Sequence, residues 1–163
     1  MIYPTRACHA LRVSSVHYGS RQSMTDNNNW IWSNKETIPS DTSHAQRLVG
    51  ELLKYLEQAE WSMADSFAIH LAAEEAIVNA IKHGNKHDPE KSVEVEFKVG
   101  PKRVSMEITD EGSGFDPKAV PDPTLDENLD VPSGRGVMLI KAYMTEVRYN
   151  ERGNSVFMEK VRE

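Results

Sequence analysis

The sequence predicts an α+β protein, a two-layer sandwich in which two or three helices cover one face of a mixed, mostly antiparallel sheet. Apolar and polar residues alternate over 93–99 and 104–108, which is the period of a half-buried strand. Apolar residues recur at helical spacing over 45–56 and again after residue 62. Because the strands are apolar on one side only, the helices are expected to cover that side.

Length and composition limit the classes of protein to which the chain can belong. The 163 residues suit one domain, which we place at 30–163. A net charge of −6 argues against direct binding of nucleic acid, because phosphate binding calls for a basic face. One cysteine, Cys8, excludes an internal disulfide framework. No apolar run approaches the roughly 20 residues of a membrane helix, so we expect a cytoplasmic protein.

The first 29 residues differ in composition from the rest of the chain. Arg6, Arg12 and Arg21 occur there before the first acidic residue, and the apolar residues show no clear period. We expect 1–29 to be a disordered tail, or an over-long start with Met24 as the true initiator. An organelle transit peptide, which is also rich in Arg and poor in acids, is the alternative.

The domain is predicted to begin with an edge strand and a helix. Residues 30–38, WIWSNKETI, are rich in strand formers and are followed by Pro39, as is typical of an edge strand. Ser40 and Asp41 then offer N-cap oxygens. The apolar stripe of the helix that follows is Ala45, Leu48, Val49, Leu52, Leu53 and Leu56.

A second helix is predicted from the capping-box pattern SMAD at 62–65 to about Lys82 or His83, before Gly84. On this helix Glu75 and Asn79 lie about 40° apart, on a face kept open by small residues. The core side is assigned to Phe67, Leu71, Ile77, Val78 and Ile81, with Glu74 as a half-buried, hydrogen-bonded carboxylate among them.

The pair Glu75 and Asn79 has two interpretations. Both residues can belong to a solvated face that pairs at i,i+4 spacing, which stabilises a helix by only about 0.2–0.5 kcal/mol. Alternatively, the carboxylate and the carboxamide point together at a metal-bound polyphosphate. In that case the amide oxygen suits Mg²⁺ and the carboxylate can accept a proton.

The predicted hairpin of 93–99 and 104–108 turns at GPK and runs into DEGSGF, residues 110–115. Gly112 and Gly114 allow positive φ or close approach, so this stretch is either an ordinary turn or one wall of a ligand site. Glu111 and Ser113 are interpreted as spacers. The Pro-rich segment that follows, 116–133, is longer than ordinary connections, and we expect it to be functional or mobile.

A third helix is predicted over about 136–143, immediately after Gly134 and Gly136. A helix N-terminus with nearby glycines suits phosphate, although an ordinary loop gives the same pattern. Two final strands, TEVRYN and SVFMEKV, are joined by ERGN.

The order of these pieces is EEAIVNAIKHG, DEGSGF, a Pro-rich loop and GRGVMLI. It resembles the GHKL (histidine-kinase-like) ATPase superfamily, and within it the small anti-sigma factor serine/threonine kinases of bacteria. The resemblance spans about 30–162. It implies the Bergerat type of ATP-binding sandwich, with ATP and Mg²⁺ as ligands.

The resemblance also implies roles for individual residues. Glu75 would be the base that activates a hydroxyl or water, and Asn79 the Mg²⁺ ligand. Asp110 would read adenine by accepting from its exocyclic amine. Ser155 stands where the family often has Thr near the adenine. The other implied ATP contacts are Lys82, Gly112, Gly114, Gly134, Arg135 and Gly136.

The activity implied is that of an ATP- and Mg²⁺-dependent protein serine/threonine kinase in transcription regulation. It would phosphorylate a Ser of a small antagonist, of the anti-anti-sigma type, in a partner-switching pathway that controls a sigma factor or other regulator. We expect a homodimer. The alternative is a non-catalytic ATP-binding module that sequesters a regulatory partner. We do not expect a complete sensor histidine kinase, because only about 40 residues precede the second helix within the domain.

Overall fold

The computed structural model describes residues 29–116 and 135–162. The elements in these residues are β1 (Trp32–Pro39), α1 (Thr42–Gln58), α2 (Met63–Asn79), β2 (Ser92–Val99), β3 (Arg103–Asp110), α3 (Arg135–Tyr143), β4 (Glu146–Tyr149) and β5 (Ser155–Val161). A π-helical turn, Ala80–Gly84, continues α2. The predicted N-terminal tail, most of the Pro-rich segment and Gly134 lie outside the described residues.

The sheet has the strand order β1-β2-β3-β5-β4, and every pairing described is antiparallel. β1 lies at one edge, as its proline predicts. Pairs such as Val95 with Ile108 and Met106 with Met158 place large apolar residues on one face of the sheet. The expectation of a two-layer α+β fold with helices on one face is confirmed.

The core lies between this apolar sheet face and the helices. The largest fully buried side chains of the core are Ile38, Leu48, Leu52, Leu56, Ile69, Ile77, Ile81, Phe97, Met106, Ile108, Ile140 and Met158. Burying one such side chain contributes about 1.5–3 kcal/mol to the stability of the fold. The opposite face of the sheet is polar and carries ion pairs such as Lys35 with Glu94, at 2.8 Å. This difference between the two faces explains the alternation seen in the sequence.

Helix α1 begins as the sequence predicts. Asp41 is its N-cap, and the Asp41 carboxylate accepts a hydrogen bond from the Ser43 amide at 2.9 Å. The predicted apolar stripe packs into the core, with five of its members buried: Ala45, Leu48, Val49, Leu52 and Leu56. The stripe is therefore occupied within the monomer. None of the helices in the described residues is long and apolar enough to cross a membrane.

Helix α2 begins at the N-cap residue Ser62, which the pattern SMAD predicts. Ser62 Oγ accepts from the Asp65 amide at 3.0 Å and donates to the Asp65 carboxylate at 2.8 Å. The helix packs against both α1 and α3. The alanines of α2 allow both neighbouring helices to approach it closely. The buried residues of α2 are Ala68, Ile69, Ala72, Ala73, Ala76 and Ile77.

Two assignments on α2 were wrong. Phe67, which we assigned to the core, is 58% exposed, and Leu71 and Val78 are only half-buried. Glu74 is exposed and faces His70, with 3.5 Å between Glu74 Oε2 and His70 Nε2. A wheel with one apolar arc describes a helix covered on one side. It fails for a helix held between two others.

The end of α2 widens into the π-helical turn and stops at Gly84, where the sequence predicts the stop. The Asn85 amide donates to the Ala80 carbonyl at 2.8 Å, and the His87 amide to the Ile81 carbonyl at 3.0 Å. Lys86 and His87 have φ values of 56° and 58°, so the chain reverses through two left-handed residues. π-helical turns often occur at functional sites, and this one faces the cavity described next.

Candidate functional site

A cavity of about 490 Å³ lies between α2, α3 and the adjoining ends of β3 and β5. Its polar and glycine lining is Glu75, Asn79, His83, Gly84, Asp110, Gly114, Asp116, Gly136, Gly153, Asn154 and Ser155. Its apolar lining is Ala76, Ala80, Ile108, Phe115, Val137, Ile140, Tyr149 and Val156. The cavity thus combines an apolar wall with a few convergent polar groups, the usual character of a small-molecule site.

Six residues that the sequence singles out meet at this cavity: Glu75, Asn79, Asp110, Gly114, Gly136 and Ser155. Gly112 is buried directly behind Asp110. Lys82 is exposed and does not contribute to the lining. Only the backbone of Arg135 is described. The structure therefore gathers most of the candidates at one place, although they are up to 80 positions apart in the sequence.

Glu75 and Asn79 are one helical turn apart on α2, and both are half-buried. Within residues 29–116 and 135–162, neither side chain makes a hydrogen bond or an ion pair. Gly136 of α3 packs so closely on Glu75 that a Cβ at position 136 would overlap the carboxylate. The first turn of α3 and the Glu75 carboxylate are therefore in direct contact.

Asp110, the last residue of β3, turns its carboxylate back onto its own loop. The Gly112 amide donates to Asp110 Oδ1 at 2.7 Å. Burial raises the pKa of Asp110 above its ordinary value of 3.8, against the opposing effects of the Gly112 hydrogen bond and the Arg152 charge. The carboxyl group is thus partly desolvated at the wall of the cavity.

Two glycines pack closely around this carboxyl group. A Cβ at Gly84 would overlap the Asp110 carboxyl, so the π-helical turn and the end of β3 touch without a side chain between them. A Cβ at Gly112 would overlap the Gly84 carbonyl. Glycine at both positions is required by this packing. The sequence predicted that Gly112 allows close approach, but it gave no such role to Gly84.

Asn85, which sequence reasoning missed, is a buried hub beside the same loop. It is fully buried, and its Nδ2 donates to the Ser40 hydroxyl at 2.8 Å and to the Ser92 carbonyl at 2.7 Å. Its Oδ1 accepts from the Glu111 amide at 2.9 Å. Asn after a helix-ending glycine is usually an exposed turn residue, so the sequence carried no signal of this burial.

Glu111 connects its loop to strand β2, so its interpretation as a spacer was wrong. Its carboxylate accepts hydrogen bonds from the Ser92 hydroxyl and, at 2.9 Å, from the Ser92 amide. These bonds lower the pKa of Glu111. Because Ser92 begins β2, Glu111 ties the loop after β3 to the neighbouring strand. Ser113, the other expected spacer, is exposed.

The β4–β5 hairpin forms the part of the cavity wall beside this loop. Ser155 Oγ lies 2.7 Å from Thr109 Oγ1. The Phe115 and Tyr149 rings meet edge to face, with centroids 5.3 Å apart at 77°. Burial raises the pKa of Tyr149 to about 12, so the phenol is neutral at physiological pH. The two rings form an aromatic wall that the spacing of the motifs did not indicate.

Comparison with known proteins matches residues 38–160 to the histidine kinase-like ATPase domain. The serine-protein kinase RsbW of Staphylococcus epidermidis is 35% identical over 131 residues, which cover 76% of this chain and 82% of that protein. The serine/threonine-protein kinase BtrW of Bordetella bronchiseptica is 29% identical over 94 residues, 56% of this chain and 66% of that protein.

A crystal structure of the RsbU and RsbW domains of Rv1364c from Mycobacterium tuberculosis has the same fold. The TM-score is 0.51 at 16% identity, over 81% of this chain and 32% of that chain. The match of the family extends over most of the domain, from the end of β1 to the end of β5. The chain therefore belongs to the histidine kinase-like ATPase domain family.

Proposed function

We propose that this protein is a protein serine/threonine kinase that transfers the γ-phosphoryl group of ATP, with Mg²⁺, to a serine of a small antagonist protein. One observation carries the proposal. Glu75 and Asn79 face the same cavity as Asp110, and neither has a side-chain partner within the described residues. Relatives named as serine-protein kinases support the same assignment.

The cavity offers complementary groups for the adenine end of ATP. The Asp110 carboxylate accepts from the exocyclic amine, and apolar groups such as Ile108 and Ile140 contact the faces of the base. The Ser155 hydroxyl lies on the same side.

The opposite end of the cavity suits the phosphates. The backbone amides at the start of α3, Arg135 and Gly136, provide donors at the positive end of a helix dipole. Asn79 supplies a hard oxygen, which fits Mg²⁺, an ion that usually keeps several water and phosphate ligands. The chemistry that Mg²⁺ would supply there is neutralisation of the phosphate charge.

Glu75 performs the proton transfer in this scheme. The serine hydroxyl oxygen bonds to the γ-phosphorus, the bond from that phosphorus to the β,γ-bridging oxygen breaks, and the hydroxyl proton passes to the Glu75 carboxylate. Packing of Gly136 on Glu75 fixes where the base stands relative to the phosphate-binding amides. The chain thus positions the base and the phosphates through one contact.

The partners follow from the proposed reaction. We place the kinase in a cytoplasmic partner-switching pathway, in which an unphosphorylated antagonist of the anti-anti-sigma type releases a sigma factor or other regulator. We also expect a homodimer. The apolar stripe of α1 is buried in the monomer core and is not available as its interface. Light scattering of the purified chain measures the oligomeric state.

A transfer assay tests the proposal. Antagonist candidates are captured on the purified protein and incubated with it and radioactive Mg-ATP. Label on a serine of the captured protein is expected. ATP binding without any transfer would indicate a non-catalytic module that sequesters its partner. Release of phosphate in the absence of any partner would indicate simple hydrolysis. Failure to bind ATP would overturn the assignment entirely.

A further inference from the structure

The turn between β4 and β5, residues 150–154, contacts the loop 110–115 at both ends. The Asp110 amide donates to the Asn154 carbonyl at 2.9 Å, and Asn154 Nδ2 donates back to the Asp110 carbonyl at 2.6 Å. Arg152 Nη2 donates to the Gly112 carbonyl at 2.8 Å. These bonds leave the backbone of the loop little freedom to rotate.

Two glycines with positive φ allow the β4–β5 turn and the loop 110–115 to pack closely on each other. Gly114, with φ of 79°, lies against the Arg152 carbonyl, and Gly153, with φ of 75°, lies against the Phe115 carbonyl. A Cβ at either position would overlap that carbonyl. Each segment therefore occupies a space that the other leaves open. The edge-to-face contact of Phe115 with Tyr149 adds a third point of attachment.

These contacts orient the carboxylate of Asp110. Its Oδ1 already accepts from the Gly112 amide, while Oδ2 has no hydrogen-bond partner in the part of the chain that the structure describes. One oxygen thus orients the group and the other remains available to a ligand. Burial raises the pKa of Asp110, and the Arg152 charge acts in the opposite direction, towards the ionised, acceptor-only form.

We propose that the β4–β5 turn is a positioning element for base recognition, in which Asn154 and Arg152 fix the Asp110 carboxylate so that it selects a purine bearing an exocyclic amine at C6. This rests on the proposed nucleotide site. Neither residue touches the transferred group. Both act through Asp110, and their substitution is therefore expected to change selectivity among bases.

Calorimetric titration of ATP and inosine triphosphate tests the proposal. The two nucleotides differ at C6 of the base, where inosine has a carbonyl oxygen in place of the amine, and at the adjacent N1, which is an acceptor in adenine and carries a hydrogen in inosine. The wild-type protein is expected to prefer ATP. Arg152→Met and Asn154→Asp should each reduce the preference about three- to tenfold, the usual effect of losing one hydrogen bond. The matched control is Arg148→Met on the same hairpin.

The control removes an arginine that stacks on Phe157 and pairs with Glu146, without touching the loop. Arg148→Met should keep the wild-type preference. Thermal midpoints without nucleotide are measured for all variants. If Asn154→Asp does not fold, Arg152→Met decides alone, because the Arg152 residue is exposed and its replacement should be tolerated.

An unchanged ratio of the ATP and inosine triphosphate affinities in Arg152→Met would overturn the inference. If both affinities also fall equally and the thermal midpoint is lower, the role of the turn is purely structural. Failure of the wild-type protein to bind either nucleotide would instead refute the proposed function, so the two failures are distinguishable.

Discussion

Gly136 on α3 packs directly on the carboxylate of Glu75 on α2, leaving no room for a methyl group between them. This contact joins two segments that are 61 positions apart in the sequence. It places the candidate base beside the helix end that suits phosphate. The geometry of the proposed transfer therefore depends on the absence of a side chain at position 136.

Gly136→Ala should impair transfer more than binding. The new Cβ displaces the Glu75 carboxylate, and a misplacement of about 1 Å can lower a rate about 10²-fold. Transfer to the antagonist, ATP affinity and urea unfolding are measured on the same preparation. Equal transfer rates for the variant and the wild type would contradict the positioning role of this contact.

Glu75→Gln should keep ATP binding and lose most of the transfer, by about 10²–10⁴-fold, because removal of a general base leaves the hydroxyl proton without an acceptor. The matched control is Glu74→Gln. The Glu74 carboxylate is exposed, faces His70 and does not line the cavity, so the transfer rate of Glu74→Gln should match that of the wild type. Single-turnover transfer rates distinguish the two variants. A Glu75→Gln variant that transfers at full rate would remove this residue from the mechanism.

Asp110→Asn should weaken ATP binding without lowering the stability of the nucleotide-free protein. Burial raises the pKa of Asp110, so the folded state binds a proton more readily than the unfolded state. A carboxyl group with a raised pKa costs stability as the pH rises through that pKa. The variant removes this cost at pH 7, and its amide oxygen can still accept from the Gly112 amide.

The same shift predicts how ATP binding depends on pH. Affinity should fall as the pH decreases through the raised pKa of Asp110, earlier than for a carboxyl group at the ordinary 3.8. Titrations between pH 7 and about pH 4 measure it, with thermal midpoints of the nucleotide-free protein at each pH. Unchanged affinity in Asp110→Asn would contradict the role of this carboxylate in base recognition.

Asn85→Ala should destabilise the protein by about 2–4 kcal/mol, since it leaves the Glu111 amide and the Ser92 carbonyl without their partner in a buried place. Urea unfolding measures the loss. Ser113→Ala, an exposed position in the adjacent loop, is the control and should change stability by no more than about 0.5 kcal/mol. A loss for Asn85→Ala no larger than for Ser113→Ala would show that the hub is dispensable.

Gly50→Ala should stabilise the protein by about 0.5–1 kcal/mol. Gly50 lies in the interior of α1 at an exposed position, and nothing comes within 4 Å of a Cβ placed there. Alanine therefore gains helix propensity without a steric cost. A higher thermal midpoint is expected at full transfer activity. The contrast with Gly136→Ala separates the effect of a methyl group in open space from its effect against Glu75.

Local patterns in the sequence were sufficient for the elements and for the order of the motifs. The alternation over 93–99 and 104–108 gave the hairpin, because one face of those strands meets the core and the other meets water. The N-cap residues Asp41 and Ser62 gave the helix starts, since these hydrogen bonds join residues two or three positions apart. Such signals need no knowledge of the rest of the chain.

Contacts between distant segments were beyond those patterns. Whether Phe67 or Ala72 lies in the core depends on α2 being covered by both α1 and α3, and a single wheel does not contain that information. The same holds for Asn85 and for the β4–β5 turn, whose partners lie 26 to 45 positions away. Their residue types are those of ordinary exposed turns.

The sequence by itself determined the α+β class, the element boundaries to within two or three residues and the motifs that meet at the cavity. These follow from local periodicity, capping and turn chemistry. Only the tertiary structure decided which groups hold Asp110 and Glu75 in place. Those positions are set by close packing of backbone on side chain at Gly84, Gly112 and Gly136, and the atoms in contact come from segments far apart along the chain.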